Sequence, residues 1–164
     1  MEASRIEPGC REDRVDHLWT QILRFYFPLS GNFGIEREPY TSETSRGKVD
    51  IVVTGLIDDK IYKLLFFEAK RPSHTMRSRL VTKAWSGAES ELQKNIHKWR
   101  ERRSSIPVAG ITAIGDKLRT YVIPEGQSNL EAFDGDEPLS LNSDADRVHE
   151  RLSNIRNRIK SYME

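Results

Sequence analysis

Cysteine is nearly absent. Cys10 is the single one in 164 residues, which excludes an internal disulfide framework and a cysteine-rich zinc site and fits a reducing compartment. Histidine is also scarce, and His17, His97 and His149 lack the mutual spacing of metal ligands. No run approaches the ~18–20 apolar residues of a membrane helix. The first nine residues carry Glu2 and Glu7 where a signal peptide would be basic and then apolar. The expectation is a soluble, intracellular, unprocessed protein that makes no use of a membrane. An excess of one charge is missing as well. Twenty-six basic against twenty-five acidic residues leave a net charge of +1, so any hold on nucleic acid must come from a local patch. Internal repeats and low-complexity tracts do not occur, which removes solenoids and linkers from consideration.

What remains is an ordinary globular composition, 37% hydrophobic and 31% charged, in a length that suits one domain over residues 1–164. Val15, Leu18, Trp19, Ile22, Leu23 and Tyr26 recur at three and four, which predicts a helix over 12–27 ended by Pro28. Residues 33–40 read as a short strand with Pro39 near its end, followed by a polar loop over 41–47. Residues 48–55 are rich in β-branched residues, and 61–70 contain Leu64-Leu65-Phe66-Phe67. With Asp58-Asp59 between them they predict a hairpin whose second strand is buried on both faces.

Trp85, Ala88, Leu92, Ile96 and Trp99 mark a second long helix, with Gly87 weakening its start. Residues 108–114 and 117–123 form another hairpin around Gly115-Asp116. The stretch 125–143 reads as a surface loop without structure of its own, and 144–162 as a helix with a stripe of Val148, Leu152, Ile155, Ile159 and Tyr162. That stripe fits the sheet better than a dimer seam, although a homodimer through it is the alternative. The order is α-β-β-β-α-β-β-α: an α/β fold with a central mixed sheet flanked by helices and a core over about 11–123.

Alternation along a strand puts Glu68 and Lys70 on one face with Leu64 and Phe66, and Leu65, Phe67 and Ala69 on the other. Asp50 shares a face with Val52 and Thr54. A hairpin centred on Asp59 sets Asp50 opposite Glu68, with Cβ atoms about 4.5–5.5 Å apart. Two carboxylates so close repel unless a positive charge lies between them, and Lys70 or a divalent cation would serve. Magnesium favours such hard oxygen ligands. There it would stabilise charge on a phosphate and activate a water, with Lys70 orienting that water or neutralising the phosphate.

Gly47-Lys48-Val49-Asp50-Ile51-Val52-Val53, followed by Phe67-Glu68-Ala69-Lys70-Arg71-Pro72, resembles the motif pair of the PD-(D/E)xK nucleases, which share the restriction-endonuclease-like fold. The element order from the first helix to Ile123 is similar too. Val49 stands where the family name has proline. The resemblance implies a Mg2+-dependent nuclease, with Mn2+ as a substitute, in which Asp50, Glu68 and the Ala69 main-chain oxygen bind the metal and Lys70 acts on the attacking water. It also implies a further acid from the first helix, Glu12 or Asp16, with Glu36 or Glu38 on the first strand as substitutes. A helix glutamine, Gln93, is implied as well.

Arg71, His74, Arg77 and Lys94, with Arg79, Lys83, Lys98 and Arg100 nearby, would supply a local basic rim for a phosphate backbone. The expected partner is nucleic acid, DNA ahead of RNA, cut as by an endonuclease. Two other readings stand beside this one. In the first, the fold is kept only to bind nucleic acid or a protein. In the second, Glu68 and Lys70 are no more than a structural ion pair.

Overall fold

The computed structural model describes residues 11–37, 49–72, 78–100 and 106–164. Its helices are α1 (Glu12–Tyr26), α2 (Ser78–Arg100) and α3 (Ala145–Met163). Its strands are β1 (Phe33–Arg37), β2 (Ile51–Ile57), β3 (Lys60–Lys70), β4 (Val108–Ile114), β5 (Lys117–Ile123), β6 (Glu131–Ala132) and β7 (Leu139–Ser140). The expected order is therefore present, with two small strands added. α2 begins at Ser78, well ahead of Gly87, because the apolar stripe that follows outweighs the ~1 kcal/mol that one exposed glycine costs a helix. The stretch 125–143, expected to be unstructured, contributes β6 and β7, both paired with β5. Two-residue strands are too short to leave a period-2 signal.

The sheet runs β1-β2-β3-β4-β5-β6, with β7 also on β5. Only β3 and β4 are parallel, a pairing that needs a crossover, and α2 provides it. Each face of this mixed sheet is covered. Val15, Trp19, Leu23 and Phe27 of α1 and its C-cap, with Val148, Leu152, Ile155 and Ile159 of α3, pack against Ile51, Val53, Leu65, Phe67 and Ala69. On the opposite face Leu92, Ile96 and Trp99 of α2 pack against Val52, Phe66, Val108 and Ile123. The two-sided apolar run of β3 is thus explained by helices above and below it. The stripe of α3 offered as a dimer contact is buried inside the subunit, and Tyr162 at its end is 40% exposed.

A bulge in the β2–β3 hairpin decides the register. Its tip is a two-residue turn, Asp58 and Asp59 at φ 48° and 59°, flanked by Ile57↔Lys60. Continued without interruption, that register would set Asp50 beside Phe67, on the wrong face. Between Thr54↔Lys63 and Val53↔Leu65 one extra residue, Leu64, is inserted, and the ladder resumes at Ile51↔Phe67, in line with Asp50 beside Glu68. The hairpin is therefore not centred on Asp59, and Leu64 does not share the face of Phe66. It turns into the α1/α3 core with Leu65, as bulges redirect side chains next to functional sites.

Gly55 makes room for it, since a Cβ there would stand 2.5 Å from Leu64 Cδ1 and 2.9 Å from Met163 Sδ. Gly55→Ala is expected to lower stability by about 1–2 kcal/mol, read as a lower urea midpoint at unchanged slope. An unchanged midpoint would show that the bulge tolerates crowding.

α3 is fastened by carboxylates. Asp144 accepts from the Ser140 N–H at 3.0 Å and from the Ser143 hydroxyl at 3.0 Å. Glu137 takes the guanidinium groups of Arg147 and of Arg151, the latter buried. Hydrogen bonds to main chain and side chains hold both carboxyls below their ordinary range, the backbone amide donors being the largest influence. For a depressed carboxylate the stabilisation is complete above the unfolded-state pKa and is lost as pH falls through the folded-state pKa. Amide exchange in 137–152 should accordingly accelerate below about pH 4. Asp144→Asn should flatten that limb, and an equally steep limb in this variant would assign the acid sensitivity elsewhere.

Candidate active site

The motif residues meet at one end of the central strands, on the face that α2 covers. Asp50 lies immediately before β2, and its Oδ2 accepts the Ala69 N–H at 2.6 Å, which ties the loop ahead of β2 to the motif strand. Glu68 is 2% exposed and takes a hydrogen bond of 2.5 Å from Asn95 Nδ2 on its Oε1. Lys70, half-buried, forms an ion pair of 2.9 Å with Glu91. The end of β3 is itself anchored. The Lys70 carbonyl accepts the Gly115 N–H at 3.0 Å, and the Gly115 carbonyl accepts the Trp19 indole N–H at 2.9 Å. Gly115 sits at φ +62° with Pro72 against it, a turn that glycine adopts without strain.

The electrostatics follow from this packing. Burial, then the neighbouring Asp50 carboxylate, push the Glu68 carboxyl up from 4.5 to about 8 against the Asn95 hydrogen bond, and the pull of Lys70 is the weakest influence. Burial works against the charge on Lys70, but the Glu91 hydrogen bond and the charges of Glu91, Glu68 and Asp50 outweigh it and raise its pKa. Lys70 is thus a firm ammonium, suited to supplying positive charge. Glu68 and Lys70 each have a partner on α2, Asn95 and Glu91.

Among the described residues no three His, Cys, Asp or Glu side chains are grouped to hold a metal. Were a cation held here, the protein's own share of its ligands would be the two carboxylates of Asp50 and Glu68. That suits magnesium, which retains several waters, and does not suit zinc. A divalent cation would relieve the repulsion between Asp50 and buried Glu68.

Other expected residues fall elsewhere. Gln93 donates to Asn129 at 3.3 Å and is not among the groups brought to Glu68. At about 100° per residue it lies roughly 200° around α2 from both Glu91 and Asn95. Glu36 is paired with Val52 across β1–β2, which puts it on the same face as Asp50, and it is exposed. α1 lies on the face opposite α2. Asp16 there is buried, and Glu12 begins the helix, its side chain outside the described residues. Arg71 and Lys94 are exposed, whereas Glu38, His74 and Arg77 lie outside the described residues.

Glu91 and Asn95, one turn apart, are the site residues that the sequence reading missed. Asn95 did leave a signal. It is a polar residue spaced three from Leu92 and four from Trp99, inside the apolar stripe, and it is 4% exposed.

No family model matches the chain, and no curated protein matches it. No helix of the described residues is long and apolar enough to cross a membrane.

Proposed function

We propose that this chain is a Mg2+-dependent nuclease with a restriction-endonuclease-like fold of the PD-(D/E)xK kind, acting on DNA. The observation that carries the reading is the register across the bulge, which aligns Asp50 with a buried Glu68 two residues before Lys70. A buried carboxylate beside a second one is unfavourable on its own account, and sites of chemistry are where such arrangements concentrate.

Asp50 and Glu68 would hold the cation, with the Ala69 main-chain oxygen as the further ligand suggested by the motif. When bound, magnesium supplies charge stabilisation at a phosphate oxygen and a more acidic water. Asn95 fixes the Glu68 carboxylate by one oxygen. Lys70 presents its ammonium to the reacting phosphate or orients the water, and Glu91 keeps that ammonium charged and in place.

The test is cleavage of circular duplex and single-stranded DNA and of a structured RNA with Mg2+, Mn2+ or chelator. Nicking and linearisation of the duplex circle with either ion, and none with chelator, is the expected result. Intact products throughout, together with no Mg2+-induced rise in melting temperature, would reject the reading.

A further inference from the structure

We propose that the outward face of α2 is a docking rail for the phosphate backbone of duplex DNA. The proposal rests on the nuclease reading for the class of ligand and on the arrangement of charge for its place.

Arg79, Lys83, Gly87, Ser90, Lys94 and Lys98 follow one another at spacings of four, four, three, four and four along α2, a single stripe on the side away from the sheet. The first five are exposed and Lys98 is half-buried. Ser86, Ser90, Lys94, His97 and Lys98 also line a surface concavity. The acids of the helix are turned to either flank. Glu91 holds Lys70 at 2.9 Å, while Glu89, which also lines the concavity, accepts the Tyr121 hydroxyl at 3.4 Å. In a chain whose net charge is +1, four cations on one helix face, with Glu89 and Glu91 on its flanks, amount to a local basic patch.

Two cation pairs, 79/83 and 94/98, bracket a waist of small neutral residues. Lys83 and Lys94 are eleven residues apart, about 16 Å along the axis, comparable to the ~12 Å groove between the two backbones of a duplex. Gly87, in mid-helix, faces open space, since an added Cβ would meet nothing within 4 Å. No packing within the subunit therefore calls for a glycine that costs the helix about 1 kcal/mol, and close approach of a ligand backbone is what it permits. Apart from Leu80 at its first turn, the stripe has no large apolar side chain, and none at its middle to form the centre of a protein interface, which argues against a second copy of the chain as the occupant.

Binding of a fluorescent DNA duplex is measured in chelator over a salt series, for the native chain and for Lys83→Glu/Lys94→Glu. Both positions are exposed, so the fold is not at stake. The double variant should bind at least tenfold more weakly at ~0.1 M salt, and the slope of log K against log salt should shrink by about two. Reversing Lys117 and Lys160 changes net charge equally and should leave the slope alone. Hydrolysis of a small chromogenic phosphodiester with Mg2+, which does not reach the rail, reads the chemistry of the native chain separately from duplex binding.

Native binding and slope in the double variant would overturn the rail, as would an equal effect of Lys117/Lys160 reversal. Binding of an acidic protein in place of duplex DNA would overturn it too. A native chain that fails to hydrolyse the small diester, yet loses duplex binding on reversal, would reject the nuclease reading and leave the rail standing.

Discussion

Asp50→Asn should fold as the native chain does and cleave DNA about 10³-fold more slowly or worse. The substitution removes the charge that a cation would meet but retains an oxygen able to accept the Ala69 N–H, bonded to Asp50 at 2.6 Å. Asp50→Ala removes both. Ala69 is wholly buried, so its N–H would be left without an acceptor, a further loss of about 1–3 kcal/mol in stability. Comparing the two variants separates catalysis from folding. Lys70→Ala should slow cleavage by about 10²–10³ while releasing Glu91, a partner half exposed to water, with little effect on stability. Single-turnover cleavage alongside urea unfolding gives both numbers. Full activity in Asp50→Asn would remove this carboxylate from the site.

Glu68→Gln should make the metal-free protein more stable while abolishing cleavage. Between its ordinary 4.5 and about 8, the folded state retains a proton on Glu68 that the unfolded chain gives up. The native state thus binds more protons, and stability falls as pH rises across that window. Below it the native and Gln chains should unfold alike. Above it the native chain carries a buried charge beside Asp50, and Gln, which can still accept from Asn95, does not.

At ~1.4 kcal/mol per pKa unit the shift caps the gain at about 5 kcal/mol, and a realised 1–3 kcal/mol corresponds to a rise of about 2–12 °C in melting temperature at pH 8.5. Saturating Mg2+ should close the gap by stabilising the native chain alone, since a ligand that binds only the folded state raises its stability. Melting curves at pH 4.5 and 8.5, with and without Mg2+, decide the matter. A Gln variant less stable than the native chain at pH 8.5 would mean that Glu68 is held by its surroundings as a favourable ion.

Much of this was open to the sequence because the signals concerned are local and periodic. Apolar spacing set α1, the stripe of α2 and α3, and Gly115-Asp116 between two β-branched runs located β4 and β5 at their observed ends. The order of elements and the two-sided burial of β3 needed nothing more than periods of 3.6 and 2. The motif acids and Lys70 could be named because their place at a strand end is itself a local property.

Which groups those residues meet was settled only in three dimensions. Parity alone allowed Asp50 to face Glu68, but the Asp58-Asp59 turn sets the other parity, and Leu64 corrects it through a bulge that no composition signal announces. The rotation of α2 chose Glu91 and Asn95 and turned Gln93 toward Asn129, because two residues along a helix amount to about half a turn. The high pKa of Glu68 likewise arises from burial and from Asp50, 18 positions away in the chain, against a hydrogen bond from Asn95, 27 positions away. The sequence determined the elements and the chemical groups available; burial and register, which depend on distant parts of the chain meeting, determined how those groups act on one another.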